Sequence, residues 1–185
     1  MSADLSKLLN AIGLLAIGTV LTLAFVDQVW FRDLPCPVCS LQRAGFFAAG
    51  FGIALNVLFG PKPSHYGIAI LGAVAGGAIS AWQILLHIVP GTSSYGNAIF
   101  GMHLYTWAFI AFAATIIGCA IMMLDNRQFA RTEPMSMRLN VLPLSALLLF
   151  LALAIANIFS TVALCGGGLC PDSPTDYMLF DASPV

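Results

Sequence analysis

Residues 104–124 read LYTWAFIAFAATIIGCAIMML, an unbroken run without a single charge. A helix rises 1.5 Å per residue, so a run of this length crosses the roughly 30 Å of hydrocarbon in a bilayer. Four further stretches of the same kind flank it, at 8–26, 41–59, 66–89 and 139–164, the second with one Arg near its start. Membrane β-strands require polar and apolar residues to alternate over about ten positions, and none of the five stretches does so. Helices are the other structure that satisfies its own backbone in lipid. The sequence therefore predicts an all-α, polytopic membrane bundle of five helices, one domain over 1–185, with 165–185 as a tail outside the membrane. The first stretch is too long for the apolar region of a signal peptide. It runs into 27–33, where Asp27 and Asp33 stand, with no small-residue cleavage site, and so reads as a retained span.

Composition agrees. Hydrophobic residues make up 59 % of the 185 positions and charged residues 8 %, against about 25 % charged in soluble domains. A soluble globule, a disordered chain and a nucleic-acid binder, which needs a basic face, are all excluded. Where the charges sit gives the orientation. Lys7, Lys62, Arg127, Arg131 and Arg138 fall on one side of five crossing spans; Arg32 and Arg43 fall on the other, with Asp172, Asp176 and Asp181. Basic residues accumulate in the cytoplasm, which predicts a cytoplasmic N-terminus, a periplasmic C-terminus and a bacterial inner-membrane location. Trp30, Tyr95, Tyr105, Trp107 and Tyr177 fall near the outer interface as an aromatic belt. Gly45, Ala49 and Gly52 in the second stretch, and Gly72, Ala73, Ala75, Gly76, Gly77 and Ala78 in the third, read as small residues that let helices approach closely.

Five cysteines are present. Cys119 lies inside an apolar run and reads as a small buried hydrophobe. The other four fall on the outer side as two pairs, Cys36-Pro-Val-Cys39 and Cys165-Gly-Gly-Gly-Leu-Cys170, and an oxidising compartment favours disulfides or a dithiol relay there. Cys39 stands at or near the start of the second helix, where unpaired N–H groups and the positive end of the helix dipole favour a thiolate. Arg43 follows one turn later on the same face, and a charge at the edge of hydrocarbon demands a partner or a task. Zinc would need both pairs at an unusual spacing, haem attachment would need His where Ser40 stands, and a structural disulfide within Cys-x-x-Cys would close almost no loop entropy. No metal is expected; redox chemistry is the preferred reading.

The segment Leu34-Pro-Cys-Pro-Val-Cys-Ser-Leu-Gln-Arg43, between the first two spans of a helical bundle, resembles the DsbB family of membrane quinone-dependent thiol oxidases. Cys36, Cys39 and Arg43 match that family's Cys-x-x-Cys-x-x-x-Arg pattern, and Trp82-Gln83-Ile-Leu-Leu-His87 is similar to its Gln-containing third helix, which ends near the quinone. The resemblance covers about residues 8–124. It implies a four-helix core, here with a fifth helix added, and a thiol oxidase that generates disulfides. Electrons would pass from a periplasmic thioredoxin-like dithiol protein through Cys165 and Cys170, then through Cys36 and Cys39, to ubiquinone or menaquinone held by Arg43, Gln83 and His87. Family members carry the second cysteine pair between the third and fourth spans. Here 90–101 has no cysteine, and the second pair follows the fifth span. An alternative is a non-catalytic subunit of a larger membrane complex, with Cys165 and Cys170 fastening the tail. Vitamin K epoxide reductases pair a late Cys-x-x-Cys with an early loop pair, the reverse of the order here.

Overall fold

The computed structural model describes residues 3–89, 98–129, 141–166, 168–171 and 174–180. Five long helices cover them: α1 Ala3–Trp30, α2 Pro37–Phe59, α3 Pro63–Leu86, α4 Leu104–Met123 and α5 Val141–Cys165. All five are long and apolar enough to cross a membrane. A single 3-10 turn, Asn126–Phe129, follows α4. Tyr95, Arg131, Arg138, Asp172 and Asp181 lie outside the described residues.

The helix ends follow local chemistry. Cys36 is extended and caps α2, its sulfur accepting from the Cys39 N–H at 3.2 Å, and Pro37 occupies the first turn, where a missing N–H costs nothing. At the far end Gly60 takes φ +88° and its N–H bonds to the Asn56 carbonyl. Pro63 then opens α3, so the link between α2 and α3 is short. α1 runs three residues past Asp27 before stopping at Trp30. Arg32 beyond it adopts φ +56°.

α2 packs most extensively on α3, α3 on α4, and α1 on both α2 and α5, whereas α1 and α4 touch little. Small residues make the α2–α3 seam. A Cβ on Gly72 would sit 2.5 Å from the Ala49 nitrogen, and one on Gly45 would sit 2.6 Å from the Gly76 Cα. Gly52 meets the His65 carbonyl and Ala69 just as closely. Phe112 of α4 stacks on Phe46 with ring centroids 3.9 Å apart. α5 docks on the opposite flank of the bundle, Phe150 lying over Gly50 and Leu149 against Gly18.

Opposite the Cys36 end, a buried polar cluster ties four elements together. Asn10 Nδ2 donates to Tyr66 Oη at 2.8 Å, Ser6 Oγ to Gln128 Oε1 at 2.9 Å, and Asn56 Nδ2 to Asn10 Oδ1 at 3.1 Å. In lipid each unsatisfied polar group costs several kcal/mol, so the cluster is stable because its members bond to one another.

Candidate functional site: a dithiol at the mouth of an apolar cleft

Cys36 and Cys39 are free thiols, the first buried and the second half-buried. Because α2 begins at Pro37, Cys39 lies in its first turn, closer to the helix end than a span starting at 41 implies. Gln83, near the end of α3 and 1 % exposed, serves both sulfurs. Its Nε2 donates to Cys39 Sγ at 3.6 Å and to Cys36 Sγ at 3.7 Å. Gln42 fixes that orientation by donating from its own Nε2 to Gln83 Oε1 at 2.6 Å. The hydrogen bond with Cys39, and then burial, hold the Cys36 thiol above its ordinary range. Cys36 therefore keeps its proton and can donate it toward Cys39.

Arg43 is 8 % exposed and bonds to α1. Its Nη1 donates to Gln28 Oε1 at 2.5 Å, its Nη2 to the Ala24 carbonyl at 2.9 Å, and its guanidinium lies 5.3 Å from the centroid of the Phe25 ring. The hydrogen-bond partners are a neutral amide and a carbonyl, and the Asp27 carboxylate shares the same corner of the fold with the guanidinium. Gln28, buried in α1, in turn donates to Ser160 Oγ of α5 at 2.6 Å and to Tyr177 Oη of the tail at 2.9 Å. Sequence reading missed Gln28, Gln42 and Ser160; the signal available was neutral polar side chains standing inside or beside apolar runs.

Between α1 and α4 a cavity of about 410 Å³ opens, lined almost wholly by apolar atoms, with Cys36, Cys39, Arg43 and Asp27 at its polar corner and Tyr105 and Phe46 on its walls. A second apolar cavity of about 520 Å³ continues it toward Asn10 and Tyr66, sharing Val20, Phe46 and Ala111. Of the residues expected to hold a quinone, Arg43 lines the first cavity, whereas Gln83 and His87 lie outside its lining. Gln83 stands behind the sulfurs. His87 bonds through Nδ1 to the Gln83 carbonyl at 2.8 Å and stacks on Tyr105, which stacks in turn on His103.

Cys165 and Cys170 form a disulfide. The tail then folds back along α5: Met178 and Leu179 N–H groups bond to the Leu164 and Ala163 carbonyls. The Gln28–Tyr177 bond fixes this disulfide at the same end of the bundle as Cys36.

A free dithiol thus lies against buried amides at one end of a bundle whose five helices are long and apolar enough to cross a membrane. Residues 6–95 match the family described as Disulfide bond formation protein DsbB, and over that segment the chain is similar to the DsbB family. It is similar to Disulfide bond formation protein B of Chromohalobacter salexigens, 31 % identical over 84 residues, which are 43 % of this chain and 49 % of that protein. It is also similar to the protein of the same name from Marinobacter nauticus, 36 % identical over 80 residues, 41 % of this chain and 48 % of that one. The matched segment thus spans about half the length of these relatives. It ends before α4, so α5 and the tail pair lie beyond it. No solved structure matches the chain significantly.

Proposed function

We propose that this chain is a membrane thiol oxidase of the bacterial inner membrane that hands electrons from a dithiol protein to a quinone. The observation that carries this reading is the position of the Cys36–Cys39 dithiol, backed by Gln83, at the polar corner of an apolar cleft that also holds Arg43. The cleft suits a flat ring with a long isoprenoid chain, because its walls are apolar and its donors gather at one end. A quinone bound there accepts two electrons and two protons, which the Cys36 and Cys39 thiols release as their disulfide forms. Gln83 and the first turn of α2 stabilise negative charge on Cys39 sulfur. Arg43 offers a charged donor to a quinone oxygen and excludes cations from the corner. Upstream, a periplasmic thioredoxin-like dithiol protein reduces the Cys165–Cys170 disulfide by exchange. The resulting tail dithiol then reduces the Cys36–Cys39 disulfide, and the cycle closes. Which of ubiquinone and menaquinone serves depends on the membrane that holds the chain.

The test is direct. Purified protein in proteoliposomes, supplied with dithiothreitol and a short-chain ubiquinone, is expected to consume quinone and to stop when Cys36 and Cys39 are replaced together by Ser. Quinone consumption that is absent in the wild type, or that survives in the double variant, refutes the reading. One observation favours a non-catalytic bundle. The tail is pinned to α5 by its own backbone bonds as well as by Cys165–Cys170, as a structural staple would be. The same assay decides between the two.

A further inference from the structure

Resting on the functional reading above, we propose that Tyr177 of the tail and Ser160 of α5 are positioning residues that act through Gln28 to hold Arg43 at the dithiol.

The argument starts from what an amide can do. Gln28 has two donor hydrogens on Nε2 and two lone pairs on Oε1. It is 2 % exposed, so water does not complete its bonding. Both hydrogens find hydroxyl oxygens, Ser160 Oγ at 2.6 Å and Tyr177 Oη at 2.9 Å. Oε1 faces Arg43 and accepts from Nη1 at 2.5 Å. Turned over, the same amide would present N–H groups to a guanidinium, donor against donor. The guanidinium selects the orientation of the amide, and the two hydroxyls, which belong to neither α1 nor α2, hold its nitrogen end in place.

Tyr177 reaches this position because the tail reverses over the end of α5. Gly166 takes φ +57°, which an L side chain rarely adopts, and a Cβ there would meet Met178 at 3.2 Å. Cys165–Cys170 closes the same turn, and the Leu179 N–H bonds to the Ala163 carbonyl at 3.0 Å. The chain beyond the disulfide is therefore laid back toward α1, where the Tyr177 hydroxyl meets Gln28. Hydrogen bonds from Gln28 to Tyr177 and from Arg43 to Gln28 link the tail to the charge beside Cys39. The fifth helix and its tail thereby complete the site in addition to carrying a cysteine pair.

The test compares Tyr177→Phe and Ser160→Ala, singly and together, with Arg43→Met and with Ser160→Thr, which keeps the hydroxyl. Two quantities are read: the rate of Cys39 alkylation by iodoacetamide, from mass spectrometry of the Cys39 peptide, and the KM for a short-chain ubiquinone. The double variant is expected to fall on the order of tenfold in alkylation rate and to rise by a similar factor in KM, approaching Arg43→Met, as loss of a charge-assisted bond requires. Each single variant should fall between, and Ser160→Thr should match the wild type; the double variant leaves the buried Gln28 donors unpaired and should melt lower, so the rates are read well below its melting temperature. A double variant that alkylates and binds quinone as the wild type does, while Arg43→Met does not, overturns the proposal. So does an Arg43→Met variant with unchanged alkylation. A wild type that reduces no quinone but whose alkylation falls in the double variant refutes the functional reading and leaves the positioning role standing.

Discussion

Replacing Gln83 by Leu removes the one side chain that donates to both sulfurs, at 3.6 and 3.7 Å. A hydrogen bond to a charged group contributes about 1.5–3 kcal/mol, and about 1.36 kcal/mol is one unit of acidity. Loss of the amide should therefore lower the share of Cys39 present as thiolate by roughly 10- to 100-fold where the thiol is mostly protonated. The observed alkylation rate changes less than the thiolate population. A more basic thiolate is a better nucleophile, and a Brønsted coefficient of about 0.4–0.5 returns nearly half of the loss. The net expectation is a fall of up to about 15-fold at about pH 6 and below, with the more basic thiolate of the variant reacting faster than the wild type at high pH. The Gln83→Leu change would also leave the Gln42 Nε2 without its acceptor in a buried place, a separate penalty of about 1–3 kcal/mol. The Gln42→Leu/Gln83→Leu double variant removes both ends of that bond and isolates the effect on sulfur. Alkylation of the Cys39 peptide, timed in protein whose Cys165 and Cys170 are replaced by Ser, gives the rate. Equal rates in the wild type and both variants at about pH 6 would show that the amide does not stabilise negative charge on Cys39.

Three more outcomes are expected. Gly72→Ala places a methyl 2.5 Å from the Ala49 nitrogen and should destabilise the bundle by about 1–3 kcal/mol as overpacking does, whereas Gly118→Ala, which meets nothing within 4 Å, should be neutral or stabilising in the same detergent melt. Ser at both Cys165 and Cys170 should abolish oxidation of a thioredoxin-like dithiol protein while dithiothreitol still drives quinone consumption through Cys36 and Cys39; undiminished oxidation of the protein substrate would make the tail pair a staple. Intact spheroplasts, reduced and treated with a membrane-impermeant maleimide, should be labelled at Cys165 and Cys170, and protection of both would reverse the orientation that the basic residues imply.

The spans were legible because lipid imposes one structure and one minimum length, so apolar runs suffice to find them. Their ends were less so. Asp27 and Gln28 read as the start of a loop, yet α1 carries them to Trp30. Gln28 can stay in the helix because Arg43, Ser160 and Tyr177, distant in sequence, complete its bonding. No local pattern announces partners 15, 132 and 149 residues away. α3 ends at Leu86, with His87 as its cap, although apolar residues continue to Val89. The site divides the same way. Cys36, Cys39 and Arg43 form a spacing pattern within one turn and a cap, so sequence exposes them together. Gln83 was found through resemblance, but its placement behind the sulfurs depends on how α2 and α3 meet at Gly45, Gly72 and Gly76. His87 was expected at the quinone from its place at the end of the third span; its ring stacks on Tyr105, which lines the cavity.

In the proposed relay, the exposure of the sulfurs in the two cysteine pairs implies a direction. Cys36 is 3 % exposed and Cys165 6 %, whereas Cys39 and Cys170 are half-buried. An attacking thiolate must reach the sulfur it attacks, along the axis of the bond it breaks. A soluble dithiol protein can thus approach Cys170 and displace Cys165, which remains inside the fold as the leaving thiol. Cys39 is likewise the approachable sulfur of its pair, and it is the one that lies in the first turn of α2 and receives the closer of the two Gln83 bonds. In that relay an exchange that joins Cys170 to Cys39 moves the tail segment that carries Cys170. That motion would also move the segment bearing Tyr177, so in the proposed relay the step that brings electrons to Cys36 and Cys39 would disturb the hydrogen bonds that hold Arg43.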